Sequence, residues 1–228
     1  MHHAHSPTLN RLSQGIRQFQ QRYYHNEPER MQELVEQGQH PEVLLISCSD
    51  SRVDPALLTG ALPGDLFIVR NVANLVPPYQ LDSQYDGARA AIEYAVRDLQ
   101  VKHIVVLGHA QCGGIKALLG SMAGQSSPRE FIGAWVSIAS DAYCRHVLNH
   151  SSDQSTSRAV DVNDMKAHQY LVERAAILGS LANLTTYPWL HERMQQNGLS
   201  LHGWWFDLET GDLWVTDSSN TLFLPLLD

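Results

Sequence analysis

Two hydrophobic periods organise this chain. Leu9, Leu12, Ile16, Phe19 and Tyr23 recur at spacings of three and four, which places them on one stripe of an amphipathic helix ahead of the first core strand. Three runs follow, Glu42 to Ser47 (EVLLIS), Asp65 to Arg70 (DLFIVR) and Lys102 to Gly108 (KHIVVLG). They are short, apolar and β-branched, the pattern of a parallel sheet covered on both faces. Asp86 to Leu99 sets Ala88, Ala91, Ile92, Ala95, Val96 and Leu99 on one helical face and reads as a crossover helix. Arg129 to His150 and Asp164 to Thr186 predict further helices, joined by an exposed polar loop at Ser151 to Ser157. Gly203 to Thr216 holds two aromatic-rich runs around Glu209-Thr210-Gly211-Asp212, a hairpin signal. No internal repeat is visible. The expected fold class is α/β: a central, mainly parallel sheet flanked by helices, with an N-terminal helical arm over 1–26 and a C-terminal hairpin, in one domain over 1–228.

Composition narrows the function. A chain of 228 residues with 43% hydrophobic content encloses one substantial core. The net charge of -8 and pI near 5.8 argue against a nucleic-acid partner, which calls for a basic face. No run approaches the roughly 18 apolar residues of a membrane span, and MHHAHSPTLN at the start lacks the apolar segment of a secretory signal, so the expected location is the cytoplasm. His2, His3 and His5 read as a flexible end. Three cysteines, Cys48, Cys112 and Cys144, fit reduced thiols or metal ligation better than a disulfide framework. Cys144 reads as a buried small apolar residue.

Cys48-Ser49-Asp50-Ser51-Arg52 and His109-Ala110-Gln111-Cys112-Gly113-Gly114 each follow an apolar strand. In open parallel sheets ligands gather outside the carboxyl ends of the strands, where both motifs begin. Two thiolates and one imidazole give zinc three ligands and leave a fourth position open, the pattern of a catalytic site. Because the thiolates cancel the charge of Zn²⁺, the bound water should ionise above the value near 7 typical of such sites, and activity should rise towards alkaline pH. Asp50, two residues beyond Cys48, can orient zinc-bound hydroxide, and a two-pronged hydrogen bond from Arg52 can keep that carboxylate ionised and off the metal. In a closed state Asp50 would itself become the fourth ligand. Two rival motifs fail. Gly108 to Gly114 mimics the start of a phosphate loop, but Gly114 stands where the lysine is required and Ile115 where Ser or Thr is required. A cysteine nucleophile with a histidine leaves the second cysteine and the Asp50-Arg52 pair without roles.

CSDSRVDP at 48–55, RNVANLVPPY at 70–79, AAIEYAV at 90–96 and GHAQCGG at 108–114 resemble the β-class carbonic anhydrases, and the resemblance runs roughly from Glu27 to Thr216. It implies reversible hydration of carbon dioxide to bicarbonate and a proton, one Zn²⁺ per subunit on Cys48, His109 and Cys112, and catalysis by Asp50 with Arg52. It also implies a homodimer or a dimer of dimers with active sites at the subunit interface. Gln39, Phe67, Val72, Tyr94 and Gly113 fall where that family lines its substrate pocket. Phe67 and Val72 offer an apolar wall, while the Gln39 amide and Gly113 N–H suit bicarbonate oxygens; core packing or turn geometry is the alternative for each. Leu45 stands where one subgroup carries a tryptophan of an inhibitory bicarbonate pocket, so the chain looks more like the subgroup without it. Hydrolysis of carbon disulfide or carbonyl sulfide on the same fold, and a non-catalytic zinc scaffold, are the rival functions.

Overall fold

The computed structural model describes residues 6–81, 85–125, 129–143 and 168–226. They fall into two compact units, Met1–His40 and Pro41–Asp228. In the first, α1 (Pro7–Gln20) begins at Ser6, whose hydroxyl accepts the Leu9 N–H at 3.3 Å, with Pro7 at the first helical position. It runs on as a π-helical turn over Gln21–Asn26, and α2 (Glu29–Gln37) follows. Leu9, Leu12, Ile16 and Phe19 of the α1 stripe are all exposed, whereas Tyr23 is half-buried with its ring 4.7 Å from that of Phe19.

The second unit is built on a six-stranded sheet in the order β2-β1-β3-β4-β5-β6. The strands are β1 (Val43–Cys48), β2 (Leu66–Asn71), β3 (His103–His109), β4 (Ser200–Phe206), β5 (Leu213–Thr216) and β6 (Phe223–Pro225). β2, β1, β3 and β4 run parallel, and β5 and β6 are antiparallel additions. The expected α/β class with a C-terminal hairpin is thus present. β1 and β3 are buried almost end to end, as continuous apolar runs in a covered parallel sheet must be. β2 lies at the sheet edge and is only partly covered, and β4 alternates buried and half-buried positions.

The helices of this unit are α3 (Pro55–Thr59), α4 (Gly87–Glu93), α5 (Gly113–Met122), α6 (Ile132–Val136), α7 (Ser140–Tyr143), α8 (Gln169–Leu184) and α9 (Pro188–Gln195). The crossover helix buries Ile92, Ala95 and Val96 as its periodicity requires, but its second half, Tyr94–Asp98, widens into a π turn. The helix expected over 129–150 is broken into α6, a 3₁₀ turn and α7, and residues 144–150, with Cys144, lie outside the described residues. The loop 151–157, the start of the helix at 164–167 and His2, His3 and His5 lie outside them too. α8 packs tightly on the sheet because two strands present no side chain beneath it: a Cβ added at Gly108 would stand 2.7 Å from Ile177 Cδ1, and one at Gly203 2.9 Å from Ile177 Cγ2.

Candidate metal centre

The register brings the two motifs together. β1 and β3 are neighbours with Ser47 opposite Leu107, so Cys48 and His109 end adjacent strands at the carboxyl edge of the sheet. Cys112 then caps α5 through its backbone, leaving the sulfur free of any capping role. Cys48 Sγ, Cys112 Sγ and a His109 ring nitrogen lie within 4.8 Å of one another, all three residues buried.

Zinc fits this donor set. Two sulfurs about 2.3 Å from a common tetrahedral ion stand roughly 3.8 Å apart, and Cys48 Sγ and Cys112 Sγ are 4.0 Å apart. The His109 Nδ1–H donates to the Ala110 carbonyl at 2.8 Å, which fixes the tautomer and leaves Nε2 as the atom available to a metal. That Nε2 is buried and has no hydrogen-bond partner. Burial opposes a positive charge on the ring, but the proximity and charge of Cys48, with the Ala110 carbonyl, outweigh it and raise the pKa of His109 above its ordinary value. The hydrogen bond with Cys112 holds the Cys48 thiol well below the ordinary thiol range, whereas the same bond, burial and the Cys48 charge push Cys112 up. A divalent cation removes this competition by stabilising both thiolates at once.

The loop after Cys48 is held from several sides. Asp50 Oδ1 accepts the Arg52 N–H at 3.0 Å and Nε–H at 2.9 Å, and Oδ2 accepts from Arg52 Nη2 at 2.8 Å. This fork, foremost, holds the Asp50 carboxyl far below the usual carboxylate range. Asp50 Oδ2 also stands 3.9 Å from His109 Nε2, so the carboxylate lies beside the cluster. Arg52 reaches across to the Gln111 carbonyl at 3.2 Å, linking the two motifs. Arg70, to which no role was assigned from its motif, supports the loop from β2. Its guanidinium donates to the carbonyls of Cys48 (3.1 Å), Asp50 (2.7 Å) and Val53 (3.1 Å) and to the Asp54 carboxylate (3.1 Å).

The five residues expected at the metal and beside it therefore converge. Val72 adjoins them through its neighbour, since the Ala73 N–H meets Cys48 Sγ at 3.4 Å. Ala73 and Asn74 both adopt left-handed backbone, with φ of 65° and 48°, a costly conformation for non-glycine residues. Asn71 enforces it by gripping both the N–H and the carbonyl of Leu75, each at 2.9 Å. Gly113 follows Cys112 at the start of α5 and faces open space. Phe67 and Tyr94 pack on each other with ring centroids 5.8 Å apart, but elsewhere. Phe67 pairs with Leu44, four residues back along the sheet from the Cys48–Asn71 pair, about 13 Å at ~3.3 Å per residue. Tyr94 does not fill the core, being 46% exposed. Gln39 is exposed in the N-terminal unit. A groove of about 930 Å³ lined by Asn71, Val72, Arg89, Trp135 and Asn183, among others, lies beside the cluster and includes none of its ligand atoms. Sequence reading missed Arg70, and also Glu173 and Gln169, which bind the backbone of Cys112.

A parallel sheet carrying a Cys-His-Cys group and an Asp–Arg fork at its carboxyl edge has the make-up of an α/β protein with a soft-metal site, and comparison identifies its family. Residues 43–213 match the family model for carbonic anhydrase. The chain is 35% identical to a carbonic anhydrase of Synechocystis over 92% of its own length and 71% of the relative's, and 38% identical to the chloroplastic β carbonic anhydrase 5 of Arabidopsis thaliana over 90% and 64%. Among solved structures, the β-carbonic anhydrase CcaA is similar with a TM-score of 0.80 and 32% identity, covering 98% of this chain and 94% of that one. A tetrameric β-carbonic anhydrase from Sordaria macrospora follows at 0.70 and 29%, covering 91% and 96%. This chain belongs to the β-class carbonic anhydrase family.

Proposed function

We propose that the chain hydrates carbon dioxide reversibly to bicarbonate and a proton, with one Zn²⁺ per subunit held by Cys48, His109 and Cys112. The observation that carries this reading is the bare, buried Nε2 of His109 within a two-sulfur cluster, beside a carboxylate locked by Arg52. When bound, zinc supplies a Lewis acid that makes water a nucleophile at accessible pH. The chain's own residues do the rest. Asp50, an acceptor only because Arg52 keeps it ionised, takes a hydrogen bond from the attacking oxygen and fixes the direction of its lone pair. Arg52 also prevents the carboxylate from swinging onto the metal, and Leu45 in place of the tryptophan of the inhibitory pocket accords with this open state. Val72 contributes apolar wall, and the Gly113 N–H at the helix start suits a bicarbonate oxygen.

Phe67 and Tyr94 support self-association. Since they sit together at a partly open surface well back from their own Cys48, a homodimer or dimer of dimers lets them, with Gln39, line the site of a second copy. The exposed stripe of α1 gives such an assembly apolar surface to bury. The two described cysteines are free, which suits a reducing cytoplasm; among the described residues no helix is long and apolar enough to cross a membrane.

Stopped-flow hydration with a pH indicator tests the activity: zinc-loaded protein giving no rate above the buffer control would overturn it. Asp50→Ala should retain zinc and lose at least about tenfold in kcat, within the range for a group that positions a reacting atom; unchanged turnover would remove Asp50 from the mechanism. Faster turnover of carbon disulfide than of carbon dioxide would favour the hydrolase reading instead.

A further inference from the structure

One turn of α8 holds the backbone of Cys112 from both sides. Glu173 Oε1 accepts the Cys112 N–H at 2.9 Å, and Gln169 Nε2 donates to the Cys112 carbonyl at 3.0 Å. The two side chains, four residues apart and so neighbours on the helix, are joined by a 2.8 Å hydrogen bond from Gln169 Nε2 to Glu173 Oε1. Glu173 is only 3% exposed, and its second oxygen accepts from Trp205 Nε1 at 3.2 Å. Trp205 stands opposite Gly108 on β3, next to the ligand His109. The same clamp therefore touches the neighbourhood of two ligands.

The chemistry requires a carboxylate. Every partner of Glu173 is an N–H, two on one oxygen and one on the other. Both atoms must accept, which a glutamine amide cannot do, because its NH₂ would face a donor. Burying a negative charge beside two sulfurs carries a desolvation cost that an apolar residue would avoid, so its presence calls for a local purpose. The Cys112 carbonyl already accepts the first helical hydrogen bond of α5, from the Lys116 N–H at 3.0 Å. With Gln169 and Glu173 added, the peptide planes on both sides of the Cys112 Cα are held, and the direction of its Cα–Cβ bond with them.

We infer that Glu173 and Gln169 are positioning residues of the metal centre, gripping the N–H and carbonyl of Cys112 so that its sulfur is aimed before the ion arrives. The inference rests on the zinc reading above. Partners one bond removed from a ligand typically govern metal affinity by about ten- to a hundredfold, and the effect here should appear in metal release.

The test uses full-length protein loaded with one equivalent of Zn²⁺, and in parallel Co²⁺, with release of zinc to a chromophoric chelator and the sulfur-to-cobalt charge-transfer band as readouts. Glu173→Gln should release zinc on the order of tenfold faster and shift the cobalt band. Adding Trp205→Phe to Glu173→Gln should recover part of the loss, because no donor then faces the new amide. Gln169→Met, at the partly exposed helix start, loses its bonds to the Cys112 carbonyl and to Glu173 and should release zinc about threefold faster, judged from the one that touches Cys112. A role confined to folding would lower the stability of the metal-free chain and leave release and spectrum unmoved. Parental release rates and cobalt spectra in both single variants would overturn the inference, and if Glu173→Gln fails to fold, a parental rate in Gln169→Met overturns it alone. Failure of the parent chain to take up zinc would instead remove the metal reading itself.

Discussion

Arg70→Met isolates how much of the site is held by one side chain outside either motif. Methionine keeps the apolar stem but deletes three hydrogen bonds to loop carbonyls and one to the Asp54 carboxylate. The Asp54 pair is half-open to solvent and contributes under ~1 kcal/mol. The carbonyls of Cys48 and Val53 belong to buried residues, and each loses a charged donor, a contact worth roughly 1.5–3 kcal/mol before water replaces any of it. The guanidinium is itself 29% exposed, so water recovers part of this, and a net cost of about 3 kcal/mol is expected. For a chain of this size that lowers Tm by about 6–12 °C, at 2–4 °C per kcal/mol. Arg70→Lys should recover less than half, since an ammonium cannot span three diverging carbonyls. The activity should fall further than stability accounts for, because Arg70 holds the Asp50 carbonyl at 2.7 Å and thereby the residue that Arg52 clamps. Urea and thermal unfolding of the metal-free variants, beside carbon dioxide hydration by the zinc-loaded ones, measure the two effects separately. An Arg70→Met protein within ~0.5 kcal/mol of the parent and equally active would refute the view that β2 organises the loop.

Two other substitutions probe the surroundings. A methyl at Gly114 would lie 2.8 Å from both Val72 Cγ1 and Ala73 Cβ, and the latter is fixed to a left-handed backbone that cannot give way without releasing the Ala73 N–H from Cys48. Gly114→Ala should therefore cost about 1–3 kcal/mol by overpacking and weaken zinc retention; parental stability and zinc content on chelator titration would show that the 72–75 loop is soft. Tyr187 is buried, donates its hydroxyl to the Pro77 carbonyl at 2.9 Å, and has its pKa pushed up to about 12, chiefly by burial. A folded value above the unfolded one near 10 means that this group stabilises the chain fully below pH 10 and that the contribution is lost as pH rises through 12. Tyr187→Phe should cost about 1 kcal/mol at pH 7 and flatten the decline between pH 10 and 11 in urea midpoints; equal declines in both proteins would contradict the assignment.

The donors were legible in the sequence because each stands in a local pattern. Cys48 and His109 follow runs of apolar β-branched residues that define strand ends, and Cys112 lies three residues on, before two glycines. The convergence of the two motifs was legible as well, since ligands of an open parallel sheet gather at the carboxyl ends of its strands, whereas the order of the strands comes from the structure. The short edge β6 was not legible because its cause is tertiary, pairing with β5, and the left-handed Ala73 was not because it rests on a four-residue side-chain grip of Asn71 on Leu75 that no turn signal announces. Arg70 and Glu173 were missed for a related reason. Each is a charged residue in a predicted element, which ordinarily faces water, and each finds partners far along the chain, Arg70 16 to 22 residues away and Glu173 as far as 61. A signal existed for Glu173 alone. The period of α8 puts it on the same face as Ala176, Ile177, Ser180 and Leu184, all buried, and a carboxylate on such a face must be matched by donors from another element.

What those missed residues do explains how a soft-metal site stays ordered in this fold. Zinc imposes little geometric preference of its own beyond four-coordination, so the protein must fix where each donor points. Each of the three candidate donors is anchored through its own or its neighbour's backbone. The Cys48 carbonyl is held by Arg70, the His109 Nδ1–H is engaged by the Ala110 carbonyl, and the Cys112 peptide is gripped by Gln169 and Glu173. The Ala110 N–H is in turn tied to the Phe206 carbonyl at 2.9 Å, extending the β3–β4 ladder one residue past His109. The anchors come from β2, β4 and α8, three elements that contribute none of the candidate donors. Motif residues specify which ion can bind, and the surrounding elements specify that the two sulfurs and the imidazole meet at one point; a chain carrying both motifs on a looser frame would keep the donors and lose the site.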